Sequence, residues 1–279
     1  VGVAIALALA SALSYGVADF LAGMASRRSD SRLITLGTQT IGLITAAVAV
    51  LVYSGHGPDA RALAWGGASG IGSAVGILSL YRGFARGSIS VVAPVCGVLT
   101  AVIPAVVGVG LGDRLGGLEL VGIILTVPAV GLISRETGSA DGRRGGAGDG
   151  ALAGVGFGFL FVALAQAGSG HGAWPLLAGQ VVSVLAILPV AWRARAVALR
   201  PDRRLVAWTV LAGVLSGAAN LLYLLATHHG ALAIVGVLSS LYPAGTVLMA
   251  RIWLHERWNR VQIAGMLSAI LAVVLVALA

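Results

Sequence analysis

Long apolar runs alternate with short polar gaps over the whole chain, and each run is close to the ~20 residues that cross a hydrocarbon core as a helix. Ten such runs stand out, at roughly 2–24, 33–53, 62–84, 88–110, 116–134, 150–167, 173–192, 205–227, 231–252 and 259–278. The gaps between them read SRRSDSR, SGHGPDAR, ARGS, GDRLG, RETGSADGRRGGAGDG, GSGHGAW, RARAVALRPDRR, THHGA and LHERWNR. Most of the charge sits in these gaps, among residues that end helices and form turns. The pattern predicts an all-α membrane protein with ten transmembrane helices.

Composition strengthens that reading. Of 279 residues, 58% are hydrophobic and 10% charged, with a mean hydropathy of +0.98. A soluble domain carries about 25% charged residues, so the surplus apolar surface must face lipid. A net charge of +8 invites a nucleic-acid reading, but all 18 basic residues are arginines, and they cluster beside the apolar runs. That placement suits loops at an anionic membrane face and argues against a nucleic-acid partner. The single cysteine, Cys96, has no partner for an internal disulfide and no metal-ligand company, so it reads as a small core residue. The first apolar run lacks a basic leader and exceeds the length of a signal-peptide core, so it is expected to be a retained spanning helix. No cofactor or metal is expected.

The fifth gap is the longest and divides the chain into two five-helix repeats, 1–134 and 150–279, joined by a linker at 135–149. A shift of 143 residues places Trp65 on Trp208, Gly70 on Gly213, Ser73 on Ser216, Gly87 on Gly230, Arg114 on Arg257 and Gly122 on Gly265, with Asp113 on Glu256. Slightly smaller offsets pair Gln39 with Gln180 and Gly16 with Gly158. One register held over this distance indicates internal duplication. Because five is odd, the second repeat must be inverted in the membrane. Sixteen arginines fall in or just before odd-numbered gaps, counting Arg82 and Arg251 at the ends of the third and ninth spans, and two, Arg61 and Arg114, in even-numbered gaps. The positive-inside rule then places odd loops in the cytoplasm and both termini outside. Inverted repeats of this kind build secondary transporters with a site between the halves.

The segments LGDRLGGLELVGIILTVPAVGLI (111–133) and LHERWNRVQIAGMLSAILAVVLVAL (254–278) each place an acidic residue after the fourth helix of a repeat and a glycine inside the fifth. With ten spans in two repeats, this resembles the EamA-type transporters of the drug/metabolite transporter superfamily. YGVADFLAGMASRR (15–28) is similar to a first-helix variant of actinobacterial members. The resemblance implies an integral protein of the bacterial cytoplasmic membrane that moves metabolites, amino acids or drugs, often outward and often against protons. It also implies cytoplasmic termini and a basic loop between helices 2 and 3. Here SGHGPDAR is poor in arginine and its repeat partner RARAVALRPDRR is rich, so the charge count sets the expected orientation.

Candidate chemistry concentrates on a few helix faces. Ser11, Ser14, Tyr15 and Asp19 fall at i, i+3, i+4 and i+8, which is one face of a helix. Lipid offers such a stripe no partner, so it must face the bundle. Asp19 is eight residues before Arg27, or about 12 Å along the axis, inside the hydrocarbon zone if Arg27 marks its boundary. A carboxylate there suits proton exchange or capture of a cation, and equally a structural tie to a neighbouring helix. In the eighth span Ser216, Asn220, Tyr223 and Thr227 share a face, suited to a polar solute or to interhelical hydrogen bonds. Gln39 and Gln180 carry the same two readings. By the family resemblance, the fourth and ninth spans pass closest to the centre. Pro94, Pro104 and Pro243 there are expected to kink or gate those helices, with Ser239 and Tyr242 on the pathway. Asp113 and Glu256 read as caps of the fifth and tenth helices, and His228 and His229 as solvated loop histidines. GGASGIGSAVG (66–76) lacks the Lys-Ser/Thr ending of a phosphate loop and reads as small-residue helix packing.

The expected function is secondary active transport of a small organic solute, outward, with Asp19 as the proton-carrying candidate. No catalytic constellation is legible. An intramembrane enzyme or a non-transporting scaffold is the alternative. A monomer is compatible with the pattern, and nothing in the sequence fixes the oligomeric state.

Overall fold

The computed structural model describes residues 2–86, 89–113, 115–133, 146–193, 202–243, 245–246, 249 and 260–277. Among them the regular structure is entirely helical. The first half supplies α1 (Gly2–Ser26), α2 (Ser31–Val52), α3 (Ala60–Arg86), α4 (Ile89–Gly110) and α5 (Gly117–Ile133). The second supplies α6 (Ala147–Gln166), α7 (Trp174–Trp192), α8 (Arg203–Thr227), α9 (Leu232–Ser239) and α10 (Arg260–Ala277).

Six of these, α1, α2, α3, α6, α7 and α8, are each long and apolar enough to cross a bilayer; α4, α5 and α10 contain shorter apolar stretches. Their outward faces carry large apolar side chains in the open, such as Leu51 and Val52 at 84% exposure each. Exposed apolar surface on this scale marks contact with lipid. The protein is an integral membrane protein.

Helix pairing follows a definite scheme. α1 packs on α8 and α3 on α6; α2 packs on α8 and α3 on α7; α4 packs on α6 and α1 on α9. α2 meets α7, α4 meets α9 and α5 meets α10. Close approach depends on glycine. A Cβ on Gly16 would lie 2.5 Å from the Tyr242 carbonyl oxygen and 2.7 Å from Gly245 Cα. One on Gly72 would lie 2.6 Å from the Gly156 carbonyl oxygen. In lipid, where no hydrophobic effect drives helices together, such backbone-to-backbone contact supplies the dispersion energy of association. The glycine-rich run at 66–76 is packing, as expected from its sequence.

The two ends of the bundle are tied differently. At the arginine-rich end Arg82 pairs with Asp149, and the Arg28 guanidinium lies 4.8 Å from the centre of the Trp208 ring. Asp30 and Asp202 cap α2 and α8 there, accepting from the Arg32 and Arg204 amides. At the other end the α2–α3 and α6–α7 loops exchange backbone hydrogen bonds, His56 to Gly170 and Ala173 to Tyr53, both at 2.8 Å.

The structure departs from the sequence expectations at several places. α6 begins at Ala147 rather than 150, so Asp149 is in its first turn, where a carboxylate complements the helix dipole and Arg82 finds it. The ninth span is not one helix. α9 stops at Ser239, residues 240–241 form a turn, and helix resumes at 242–243 and 245–246. Pro243 accounts for this, since its ring excludes the carbonyl four residues earlier and it has no N–H to donate. By contrast α4 runs unbroken past Pro94 and Pro104. Pro104 packs against Gly236 of α9. Asp113 also reaches a second helix: its Oδ2 accepts from the Ala233 amide, 2.9 Å away, in the first turn of α9. The caps expected at Glu256 lie outside the described residues.

Candidate functional site

The polar face of α1 does look inward. Asp19 is 6% exposed, and with Tyr15 it borders a cavity at mid-depth in the bundle. α2 contributes Gln39, α3 Ser73 and Ile77, and α4 Thr100. α6 contributes Phe157, Leu160 and Phe161, α8 Ser216 and Asn220, and Tyr242 enters from just past the α9 break. Both halves of the chain therefore build one cavity. Among the described residues that line it, Asp19 is the one that carries a charge.

The polar groups around Asp19 are held in place by one another. Tyr15 donates its hydroxyl to Asn220 Oδ1 at 2.7 Å, and Asn220 Nδ2 donates to the Ser216 carbonyl at 2.9 Å. Gln39 Nε2 donates to Ser73 Oγ at 2.8 Å and to Ser183 Oγ, tying α2 to α3 and α7. Tyr242 donates to Cys96 Sγ at 2.9 Å, and Thr100 to the Cys96 carbonyl at 2.8 Å. Phe161 stacks on Tyr223 at 4.1 Å and meets Tyr15 at 6.0 Å, forming an aromatic wall. Asp19 differs from all of these. Among the described residues its carboxylate has no hydrogen-bond or ion-pair partner, while Tyr15, Tyr81, Cys96 and Tyr242 lie within its electrostatic reach.

A smaller chamber adjoins the first and shares Ser73, Leu160 and Asn220 with it. Ser69, Gly179 and Gln180 complete its polar side. Gln180 is 6% exposed, and its Oε1 is buried without a partner. Its repeat counterpart Gln39 is held by two serines, whereas Gln180 faces Gly42, whose Cα carries nothing to bond it.

Comparison with known proteins fits this geometry. A family model described as the EamA-like transporter family matches residues 147–278. Among 26 matching chains of solved structures, one crystal structure superposes on this chain with a TM-score of 0.75. It covers 99% of this chain and 96% of its own at 16% identity, which shows a shared fold. No curated protein matches the chain. The EamA-like match spans α6 to α10, so the half that supplies Phe157, Asn220 and Tyr242 is the matched one.

Within the bundle the sequence candidates separate by position. Asp19, Tyr15, Gln39, Asn220 and Tyr242 meet at the main cavity, and Gln180 at its neighbour. Ser11 is buried and donates to the Ala219 carbonyl at 2.9 Å, joining α1 to α8. Tyr223 stands behind Phe161 and donates to its carbonyl at 2.9 Å. Ser239 is fully buried at the α9 terminus with no partner for its hydroxyl. His228 is half-buried at the end of α8, away from the cavity; burial holds its imidazole below the usual histidine range. Sequence reasoning missed Phe157 and Phe161 as lining, Tyr81 beside Asp19, and Ser183 as the anchor of Gln39. The i, i+4 phenylalanines in FGFLF carried a helical-face signal; Tyr81 and Ser183 gave none.

The Gln39 tie predicts a measurable effect. Gln39→Leu removes two interhelical hydrogen bonds, each worth about 0.5–1.5 kcal/mol net and about 0.6 on average in membranes. The apparent melting temperature of the purified protein in detergent is expected to fall by about 3–6 °C. An unchanged melting temperature would show that the serines find other partners.

Proposed function

We propose that this chain is a secondary transporter that moves a small organic solute outward by alternating access around the Asp19 cavity. Members of its family are membrane transporters, not enzymes. The observation that carries the reading is a carboxylate without a partner among the described residues, in a polar and aromatic cavity built by both halves of the chain.

The architecture behind it is ten spanning helices in two inverted repeats, 1–134 and 150–279, around the 135–149 linker. The helix pairing supports this. Exchanging each helix for its counterpart five places on turns α1–α8 into α6–α3, α2–α8 into α7–α3 and α4–α6 into α9–α1. The contacts α2–α7, α4–α9 and α5–α10 map onto themselves. Glycine contacts obey the same exchange, Gly70 on Gly179 answering Gly213 on Thr38. A bundle with two such halves can open to either side by rocking one against the other. The break before Tyr242 puts a hinge in the cavity wall. Asp19 takes a proton when the cavity faces one side and releases it to the other. The arginine-rich end faces the cytoplasm of a bacterium, with the termini outside, and the lipid bilayer is the only partner the cycle needs besides solute and proton.

The test is uptake into proteoliposomes with a panel of labelled solutes, with and without an imposed pH gradient. Gradient-dependent accumulation of at least one solute is the expected result; none across the panel, with protein shown to be folded, overturns the reading. Impermeant thiol labelling of Gly55→Cys and Arg200→Cys in cells assigns the sides, with Gly55→Cys labelled from outside.

A further inference from the structure

The lining of the main cavity is unbalanced in its hydrogen-bonding capacity, and the imbalance specifies a ligand. Most donors are already committed. The Tyr15 hydroxyl is given to Asn220, the Tyr242 hydroxyl to Cys96, and the Thr100 hydroxyl to the Cys96 carbonyl. Gln39 Nε2 is given to Ser73 and Ser183, and Asn220 Nδ2 to the Ser216 carbonyl. The acceptors are left over. Asp19 makes no hydrogen bond or ion pair with another described residue, and Gln180 Oε1 in the adjoining chamber is buried without a partner. An ionised carboxylate offers about four lone-pair sites and no proton.

The charge balance points the same way. Among the described residues, no arginine or histidine lines either cavity. An anionic solute would meet a lone carboxylate with no cation to offset it. A solute ammonium brings three donors and the missing positive charge to the same place. Around it, Tyr15, Phe157, Phe161 and Tyr242 present ring surface, which attracts a cation and covers an apolar body.

We infer that the transported solute is a small organic amine, bound as its ammonium cation by Asp19 with its apolar part against the Phe157–Phe161 wall. This rests on the transport reading of the same cavity and adds the chemical class. Gln180 is the next acceptor an ammonium meets on leaving Asp19. Gln180 is six residues from the start of α7 at Trp174, about 9 Å from the arginine-poor end of the bundle.

Three probes of similar size separate the possibilities: 2-phenylethylamine, 2-phenylethanol and 3-phenylpropionate, titrated calorimetrically into the detergent-purified full chain near pH 7.5. The amine is expected to bind about tenfold or more tightly than the alcohol, as a charge-assisted hydrogen bond requires, with the carboxylate weakest. Asp19→Asn is expected to reduce amine binding to the level of the alcohol, and Asp19→Glu to keep the amine preference. Melting curves of both variants report folding independently. Equal or tighter binding of the alcohol or the carboxylate by the wild type, no binding of the amine, or an amine preference that survives in folded Asp19→Asn overturns the inference. The two readings fail separately. Amine binding without uptake in proteoliposomes sinks transport and keeps the ligand class; uptake of neutral or anionic solutes alone does the reverse.

Discussion

Asp19→Asn is expected to bring proton-driven uptake in proteoliposomes down to the level of empty liposomes while the protein remains folded. The substitution keeps the size and shape of the side chain and removes only its ability to ionise. Asp19 makes no hydrogen bond or ion pair with another described residue, so no structural tie is cut. Taking a charge out of a water-poor interior costs nothing and relieves desolvation; the melting temperature should stay level or rise. Loss of function with retained stability is the signature of a group kept for chemistry. The wild-type rate should vary across pH 6–8.5, and any residual rate of the variant should be flat over that range. Wild-type coupled uptake by folded Asp19→Asn removes the proton from the mechanism. Loss of uptake together with a melting temperature lowered by several degrees would instead return Asp19 to a structural role.

The expectation that Asp19 faces inward was legible from four polar residues at helical spacing, because lipid leaves such a face nowhere else to go. Helix placement was legible for the same reason. Each helix is written separately into the sequence by the solvent it must satisfy, and α2, α7 and α8 lie within two residues of the spans read from hydropathy. What depended on a second helix was not legible. Asp113 stands just before α5, and its carboxylate also reaches α9, whose N-cap Ala231 offers no side-chain cap. Ser11 and Asp19 lie on one stripe, but one meets the α8 backbone and the other open space. The sequence register sets Gln39 against Gln180, which suggests equal roles. Gln39 Nε2 is held by Ser73 and Ser183, while Gln180 stands beside Gly42 with its Oε1 unpartnered. Ser73 was recoverable from duplication, since Ser216 is its partner and both line the cavity.

Gly70→Val is expected to be the most destabilising of the single substitutions considered, lowering the apparent melting temperature by about 6–12 °C, the equivalent of about 3 kcal/mol. A Cβ at Gly70 would collide with the Gly179 carbonyl oxygen and sit 2.8 Å from its carbon and 3.0 Å from its Cα. Those atoms are backbone, so the collision cannot be relieved by a rotamer change, and α3 must move away from α7 along their contact. Gly66, one turn earlier, meets Pro175 in the same way, with the Pro175 Cα 2.7 Å from a Cβ placed there. Separating the helices at one position loosens both. Gly67 is the control on the same helix. A Cβ there meets Val182 Cγ2 at 3.5 Å, an ordinary contact. Gly67→Ala should therefore be neutral or stabilising by up to about 1 kcal/mol from helix propensity alone. Equal effects at 67 and 70 would mean that propensity rather than close approach governs this helix. Gly70 also borders the Gln180 chamber. Gly70→Ala, the milder change, separates its two roles. If transport falls in step with the folded fraction, the glycine serves packing alone. If transport falls further than folding does, the α3–α7 contact must also shift as the cavity changes sides, and the surface that lets the two helices touch is then the surface on which they slide.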